Sequence, residues 1–141
     1  MSAFITQQRV RFGHVDPAGI VYFPRIYDYF HEAFEELFDV HVGVKYYEML
    51  LEDRIGFPLV HSEASFNGPL KFGDRPLVRV TCFKLGNSSL GLHYVYEVDD
   101  KVCVDARQTT VCVNTKTMQP KRIPDAYRAR FEEILESSEN Q

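Results

Sequence analysis

Residues 12–38 read FGHVDPAGIVYFPRIYDYFHEAFEELF, and this stretch decides how the chain folds. From Pro24 to Phe38 the apolar residues Ile26, Phe30, Ala33 and Leu37 recur at intervals of three and four. Tyr27, Phe34 and Phe38 widen the stripe, and Asp28, Glu32, Glu35 and Glu36 take the opposite side. That spacing predicts one long amphipathic helix. Pro24 suits its first turn, where the missing N–H leaves no bond unmade. Upstream, Asp16-Pro17-Ala18-Gly19 has the composition of a type I turn, and as a turn it needs no further role. Two features suggest one. The turn runs into Ile20-Val21-Tyr22-Phe23, apolar groups that would desolvate the carboxylate. It also lies just before a helix N-terminus, whose unpaired N–H groups and positive dipole end can hold an oxyanion. A carboxylate and an oxyanion site are the minimum equipment for hydrolysing an activated acyl group.

Around this centre the periodicity changes from helical to alternating. Residues 4–12 are rich in β-branched and aromatic side chains and predict a first strand. Val44 to Arg54 predicts a second, shorter helix stopped by Gly56 and Pro58. Four strands follow at 57–68, 75–85, 89–98 and 101–115, with turn chemistry at 72–75, at 86–88 and in the tight hairpin Asp99-Asp100-Lys101. Asp125 to Glu136 predicts a closing helix after Pro124. One buried helix on a mostly antiparallel sheet of about five strands is an α+β layered domain. Leu90, Leu92, Tyr94, Tyr96 and Val98 share one strand face, yet the other face, with Gly91, His93 and Val95, is only half polar. Such a strand calls for a second cover, which points to an oligomer.

Composition narrows the function. The 141 residues suit a single domain over 1–136 with a polar tail at 137–141, and 45% hydrophobic with 26% charged residues is ordinary globular composition. A net charge of −4 without a basic run argues against nucleic acid as a partner. No apolar run of membrane-spanning length and no secretion-type leader is present, so a cytoplasmic protein is expected. Cys82, Cys103 and Cys112 lie in strand-like segments without CxxC spacing and read as reduced core thiols, and the five scattered histidines predict no metal site.

The strand ending Arg11-Phe12-Gly13, the Asp-Pro-Ala-Gly-Ile-Val that follows, the aromatic pair and the long helix together resemble hotdog-fold acyl-CoA thioesterases of the 4-hydroxybenzoyl-CoA thioesterase type. ASFNGPLKFGD (64–74), LGNSSL (85–90) and VCVNTKTMQPKRIP (111–124) extend the resemblance over nearly the whole chain. It implies a long central helix wrapped by a curved antiparallel sheet, and two protomers paired sheet edge to edge as a homodimer or homotetramer. It also implies hydrolysis of an acyl-CoA without metal or cofactor. In that resemblance Asp16 is the catalytic carboxylate, acting as nucleophile or through a water, and the backbone N–H of Phe23 is the oxyanion donor.

The remaining site expectations are weaker. His14 lies two residues before Asp16 and could tune it, or be an ordinary loop histidine. His31 occupies the helix position where the 4-hydroxybenzoyl enzyme carries an aspartate for the substrate's phenol; HEAFE and PLVH (58–61) resemble instead hotdog enzymes acting on 1,4-dihydroxy-2-naphthoyl-CoA. A satisfied core histidine is the alternative for His31. Tyr22 belongs to the apolar pocket run, and His61 with Glu63 to its wall or to a plain polar strand face. For the phosphates of CoA the local candidates are Lys71, Lys84, Ser88 and Ser89, with Arg75, Lys116, Lys121 and Arg122 as further surface charges. Two alternatives stand beside an aryl or hydroxyaryl acyl-CoA thioesterase: an aliphatic acyl-CoA or acyl-carrier-protein thioesterase, and a non-catalytic acyl-CoA-binding protein.

Overall fold

The computed structural model describes residues 2–137; the expected terminal tail, Ser137 apart, lies outside the described residues. Strand β1 (Phe4–Gln7) leads through a hairpin loop to helix α1 (Phe23–Glu36), then α2 (Tyr46–Leu51) and the short β2 (Ile55–Gly56). Four long strands follow: β3 (Leu59–Phe66), β4 (Leu77–Leu85), β5 (Ser89–Val98) and β6 (Lys101–Val111). The chain continues through the two-residue strands β7 (Val113–Asn114) and β8 (Gln119–Pro120) to helix α3 (Asp125–Glu132). The main sheet is antiparallel with strand order β1-β4-β5-β6-β3, and β2, β7 and β8 form a small second sheet. This is the expected α+β arrangement, a long helix on a five-stranded antiparallel sheet.

Helix α1 packs on the inner face of the sheet because its stripe meets that of β5. Phe30 stacks on Tyr94 at 5.7 Å and tilts against Tyr96 at 5.8 Å between ring centroids, and the Tyr96 hydroxyl donates to the carbonyl of Tyr29 at 3.0 Å. Leu90, Leu92, Tyr94 and Tyr96 are buried, as alternation predicts. The α1 stripe differs at one residue: Tyr29 is fully buried, whereas Tyr27 is exposed. The helix also does not stop at Phe38. Leu37–Val42 forms a π-helical turn in which the Gly43 N–H reaches the Phe38 carbonyl, and a spacing of five keeps both Leu37 and Val42 inside.

Three strand boundaries shift. The first strand is regular only to Gln7, although Gln8 and Val10 still donate to the carbonyls of Pro76 and Asp74. The third strand occupies the middle of the expected 57–68. The expected strand 101–115 breaks at Cys112, whose N–H turns to the Ser88 carbonyl at 2.7 Å. The Asp99–Asp100 hairpin is as tight as expected, with φ of 51° and 65°. All three cysteines are buried free thiols. Among the described residues no helix is long and apolar enough to cross a membrane.

The outer face of the sheet is covered in part by the chain itself. Helix α3 ends at Glu132, short of the expected Glu136, and residues 134–136 lie along β4, with Cys82 donating to Ile134 and Glu136 donating to Cys82. Beside them the Phe83 ring lies over Gly91, where an added Cβ would meet ring carbons at 2.6 Å. The Glu136 carboxylate accepts from Thr81 Oγ1 at 2.7 Å and pairs with His93 Nδ1 at 2.8 Å, and His93 Nε2 meets Asp105 at 2.7 Å. Burial pushes the Glu136 pKa up. The Thr81 and His93 hydrogen bonds and the charges of His93 and Arg107 outweigh it, leaving the carboxyl below its ordinary 4.5. A depressed carboxyl stabilises the fold above its unfolded pKa and stops doing so as pH falls through the folded one. Glu136→Gln is therefore expected to lower the melting temperature at pH 7, with the difference from wild type shrinking as pH falls below about 4. Parallel melts of both proteins from pH 7 to pH 3 check this; a constant difference contradicts it.

Candidate functional site

The Asp16 loop is a small hairpin held by main-chain bonds. The N–H of Asp16 donates to the Ile20 carbonyl and that of Tyr22 to the His14 carbonyl, and Val15 bridges Val21. The expected turn is closed by Gly19 N–H to Asp16 C=O at 2.9 Å, with Gly19 at φ +80°, which glycine adopts without strain. A second layer fixes the hairpin to the connection between β3 and β4, because Val21 donates to Leu70 and Phe72 to Gly19. Asp16 Oδ1 accepts from the N–H groups of Ala18 at 2.9 Å and Ile20 at 3.4 Å. Among the described residues Oδ2 has no partner. The carboxylate is thus anchored by one oxygen and open at the other.

The hairpin feeds directly into α1. Tyr22 is its N-cap without a side-chain bond, the first turn has no acidic residue, and the Phe23 N–H has no partner among the described residues. The positive end of the helix is uncompensated. Val21 turns into the core, but Tyr22 and Phe23 point outward, 59% and 62% exposed. Within one chain the apolar run therefore does not close over the carboxylate as the sequence suggested.

One to two turns along α1 from Phe23, on the same helix face, stand Tyr27 and His31. They line a cavity of about 540 Å³ whose walls include Phe34, Tyr46, Phe57 and Gln108. That volume suits a small-molecule site, for which roughly 300–1,000 Å³ is usual. His31 is no core histidine. It is half exposed at the rim, its Nε2 is 3.0 Å from Glu35, and its ring stacks on Phe34 and meets Tyr46 edge-on. Burial, then the Glu35 charge, pushes the Tyr46 phenol up, so it stays protonated.

The other expected residues are dispersed. His14 does not touch Asp16. Its Nδ1 accepts from the Arg11 N–H at 3.2 Å and meets the Tyr29 hydroxyl at 2.8 Å. Burial, then the charge of Glu32, raises the Tyr29 phenol to about 12 against a smaller opposing effect of Arg25, so the hydroxyl remains the donor. His61 and Glu63 lie exposed on β3, 3.6 Å apart and outside the cavity wall, which takes Pro58 and Leu59 instead. Tyr22 rests against Phe23 and does not line the cavity. Lys71 is beside the Asp16 hairpin through its bridge to Ile20. Lys84, Ser88 and Ser89 lie at the turn end of the β4–β5 hairpin, outside the cavity wall, and the turn there is held by Arg128 on the carbonyls of Gly86 and Asn87. Sequence reasoning missed Gln108. The signal was available: Val104, Ala106 and Thr110 form the inward face of β6, and Gln108 places a side-chain amide in that series.

A family model described as the thioesterase-like superfamily matches residues 10–131. The chain belongs to the thioesterase-like superfamily. Within it, a Nostoc punctiforme protein named 1,4-dihydroxy-2-naphthoyl-CoA hydrolase is 28% identical over 123 residues, 87% of this chain and 82% of the relative. A solved gentisyl-coenzyme A thioesterase is 28% identical, with a TM-score of 0.80 over 91% of this chain and 99% of its own. A thioesterase-superfamily structure from Jannaschia is 24% identical with a TM-score of 0.89 over 96% and 95% of the two chains, and it bears on the fold alone. These comparisons agree with the hotdog thioesterase resemblance and with a thioester hydrolase.

Proposed function

We propose that this thioesterase-superfamily chain hydrolyses an aryl or hydroxyaryl acyl-CoA to the free acid and CoA. The observation that carries the reading is the Asp16 carboxylate, held by one oxygen and open at the other, in a hairpin that runs straight into an uncapped helix N-terminus. The thioester oxygen is directed at the Phe23 N–H, where charge develops as the carbonyl becomes tetrahedral. Asp16 either attacks the carbonyl carbon, expelling CoA thiolate to leave an anhydride that water then opens, or takes a proton from the attacking water. Neither route calls on a cofactor. The acyl group runs from Phe23 past Tyr27 toward His31. Eight residues at 1.5 Å rise span about 12 Å, and helical side chains lean back toward the N-terminus, which brings His31 within reach of a ring hydroxyl.

A second copy fits this reading. Strand β3 ends the sheet with an unpaired edge bearing the exposed Leu59, Val60 and Phe66, and two such edges can pair about a two-fold axis. Pairing offers the Asp16 loop a cover that one chain lacks. It also offers a route by which Lys84, Ser88 and Ser89 of one copy serve CoA bound at the other, next to that copy's Lys71.

The test is CoA release from a panel of benzoyl, hydroxybenzoyl, hydroxynaphthoyl and medium-chain aliphatic thioesters. A hydroxyaryl thioester is expected to exceed the aliphatic ones by at least about tenfold in kcat/KM. Faster aliphatic turnover moves the reading to an aliphatic acyl-CoA or acyl-carrier-protein thioesterase. Tight CoA-ester binding without release makes the chain a binding protein.

A further inference from the structure

The cavity beside α1 has largely apolar walls, and two of its polar lining residues come from different elements, Gln108 from the sheet and His31 from the helix. On the sheet side, Gln108 interrupts the inward face of β6 between the buried Ala106 and Thr110, with Leu92 opposite it on β5 and Ser62 on β3. The Thr110 hydroxyl is already used, donating to the Leu90 carbonyl at 3.2 Å. Gln108 is not fully used. Its Nε2 donates to Ser62 Oγ at 3.1 Å, which holds the amide, and its Oε1 has no donor among the described residues. On the helix side, the Nε2–H of a neutral His31 is directed at Glu35, 3.0 Å away, which leaves Nδ1 as an acceptor. Glu35 thereby sets the tautomer of His31.

An acceptor that is held in place but has no protein donor is free to take a hydrogen bond from a ligand, and that bond gains strength once the ligand fills the cavity and excludes water. These two acceptors come from different elements of a cavity that Phe34 and Phe57 also line. We propose that Gln108 acts with His31 as a specificity-determining pair, each accepting one hydroxyl of a planar aryl acyl group that carries two. Glu35 is a positioning residue acting through His31. The assignment rests on the acyl-CoA reading for its context, but the choice of hydroxyl acceptors is independent of which residue performs hydrolysis.

The experiment compares wild type, Gln108→Met and His31→Phe on 1,4-dihydroxy-2-naphthoyl-CoA, 1-hydroxy-2-naphthoyl-CoA and 2-naphthoyl-CoA. Calorimetric titration of the three corresponding free acids runs alongside. Met keeps the length of Gln without the amide, and His31 is half exposed on a helix, so the second variant keeps its fold even if the first does not. In wild type, each hydroxyl is expected to raise kcat/KM and acid affinity by about tenfold. Each variant is expected to lose about tenfold in the ratio of dihydroxy to bare substrate, and Glu35→Gln to lose part of it with a shifted pH profile of that ratio. Equal losses on all three substrates make Gln108 a packing residue and overturn the proposal. So does a wild type that hydrolyses the aryl thioesters without regard to hydroxyls, an outcome that leaves the thioesterase reading intact. The converse result is acid binding that depends on hydroxyls and on Gln108, with no CoA released from any thioester. That upholds the pair and overturns the reaction.

Discussion

Asp16→Asn is expected to lower kcat by on the order of 10³-fold with KM near its wild-type value. The effect is clean because of how the loop is built. The side-chain oxygen of Asn can keep the bonds from the N–H groups of Ala18 and Ile20, and Asn suits the first position of such a turn as well as Asp does. Only the free oxygen Oδ2 is exchanged, for an amide nitrogen that neither attacks a carbonyl nor accepts a proton from water. Steady-state CoA release on the best thioester, together with unchanged melting, checks this. Turnover within a few-fold of wild type would leave Asp16 a turn residue and remove the carboxylate from the mechanism.

Phe38→Ala is expected to destabilise the fold by about 3–5 kcal/mol, a fall of about 10–17 °C in melting temperature. Phe38 has no exposed surface and sits among five rings: Phe34 at 4.9 Å, Phe57 at 5.3 Å, Phe131 at 5.8 Å, Tyr127 at 6.0 Å and Tyr46 at 6.1 Å. Its ring ties α1, α2 and α3 to the segment entering β3. Removing it leaves a void that backbone elements on four sides cannot close together. Three of those rings, Phe34, Tyr46 and Phe57, also line the cavity, so the variant is expected to bind aryl ligands more weakly even where it remains folded. Thermal melts with Phe38→Leu as the volume-conserving control measure the first effect, and a loss no greater than the control's contradicts it.

The long helix, the short helix, the succession of four strands and the turn at Asp16 were legible because local periodicity and turn chemistry determine them. The failures share a cause. Tyr29 reads as off-stripe on a lone helix, and it is buried because His14, from the preceding hairpin, covers it. The π turn is hidden because a spacing of five between Leu37 and Val42 matches no α pattern. The outer face of the sheet called for a second cover, and that Glu136, 43 residues from His93, supplies part of it is not visible in the local pattern of either segment. In the site, Asp16 and its loop came from one contiguous motif. Gln108 is brought to His31 only by the pairing of β6 with its neighbours, which no short stretch of sequence encodes.

The two halves of the site are fixed by different kinds of atoms. Main-chain groups of residues 14–22 and 70–72 hold the Asp16 carboxylate, and the adjoining side chains of Pro17 and Ala18 face outward without contributing to that hold. Side chains shape most of the cavity, with Gly56 the one lining residue that has none. On the proposed mechanism, reaction and selectivity are therefore separable inheritances in this fold: the walls around His31 and Gln108 can be rebuilt for a new acyl group without disturbing the backbone that presents the carboxylate.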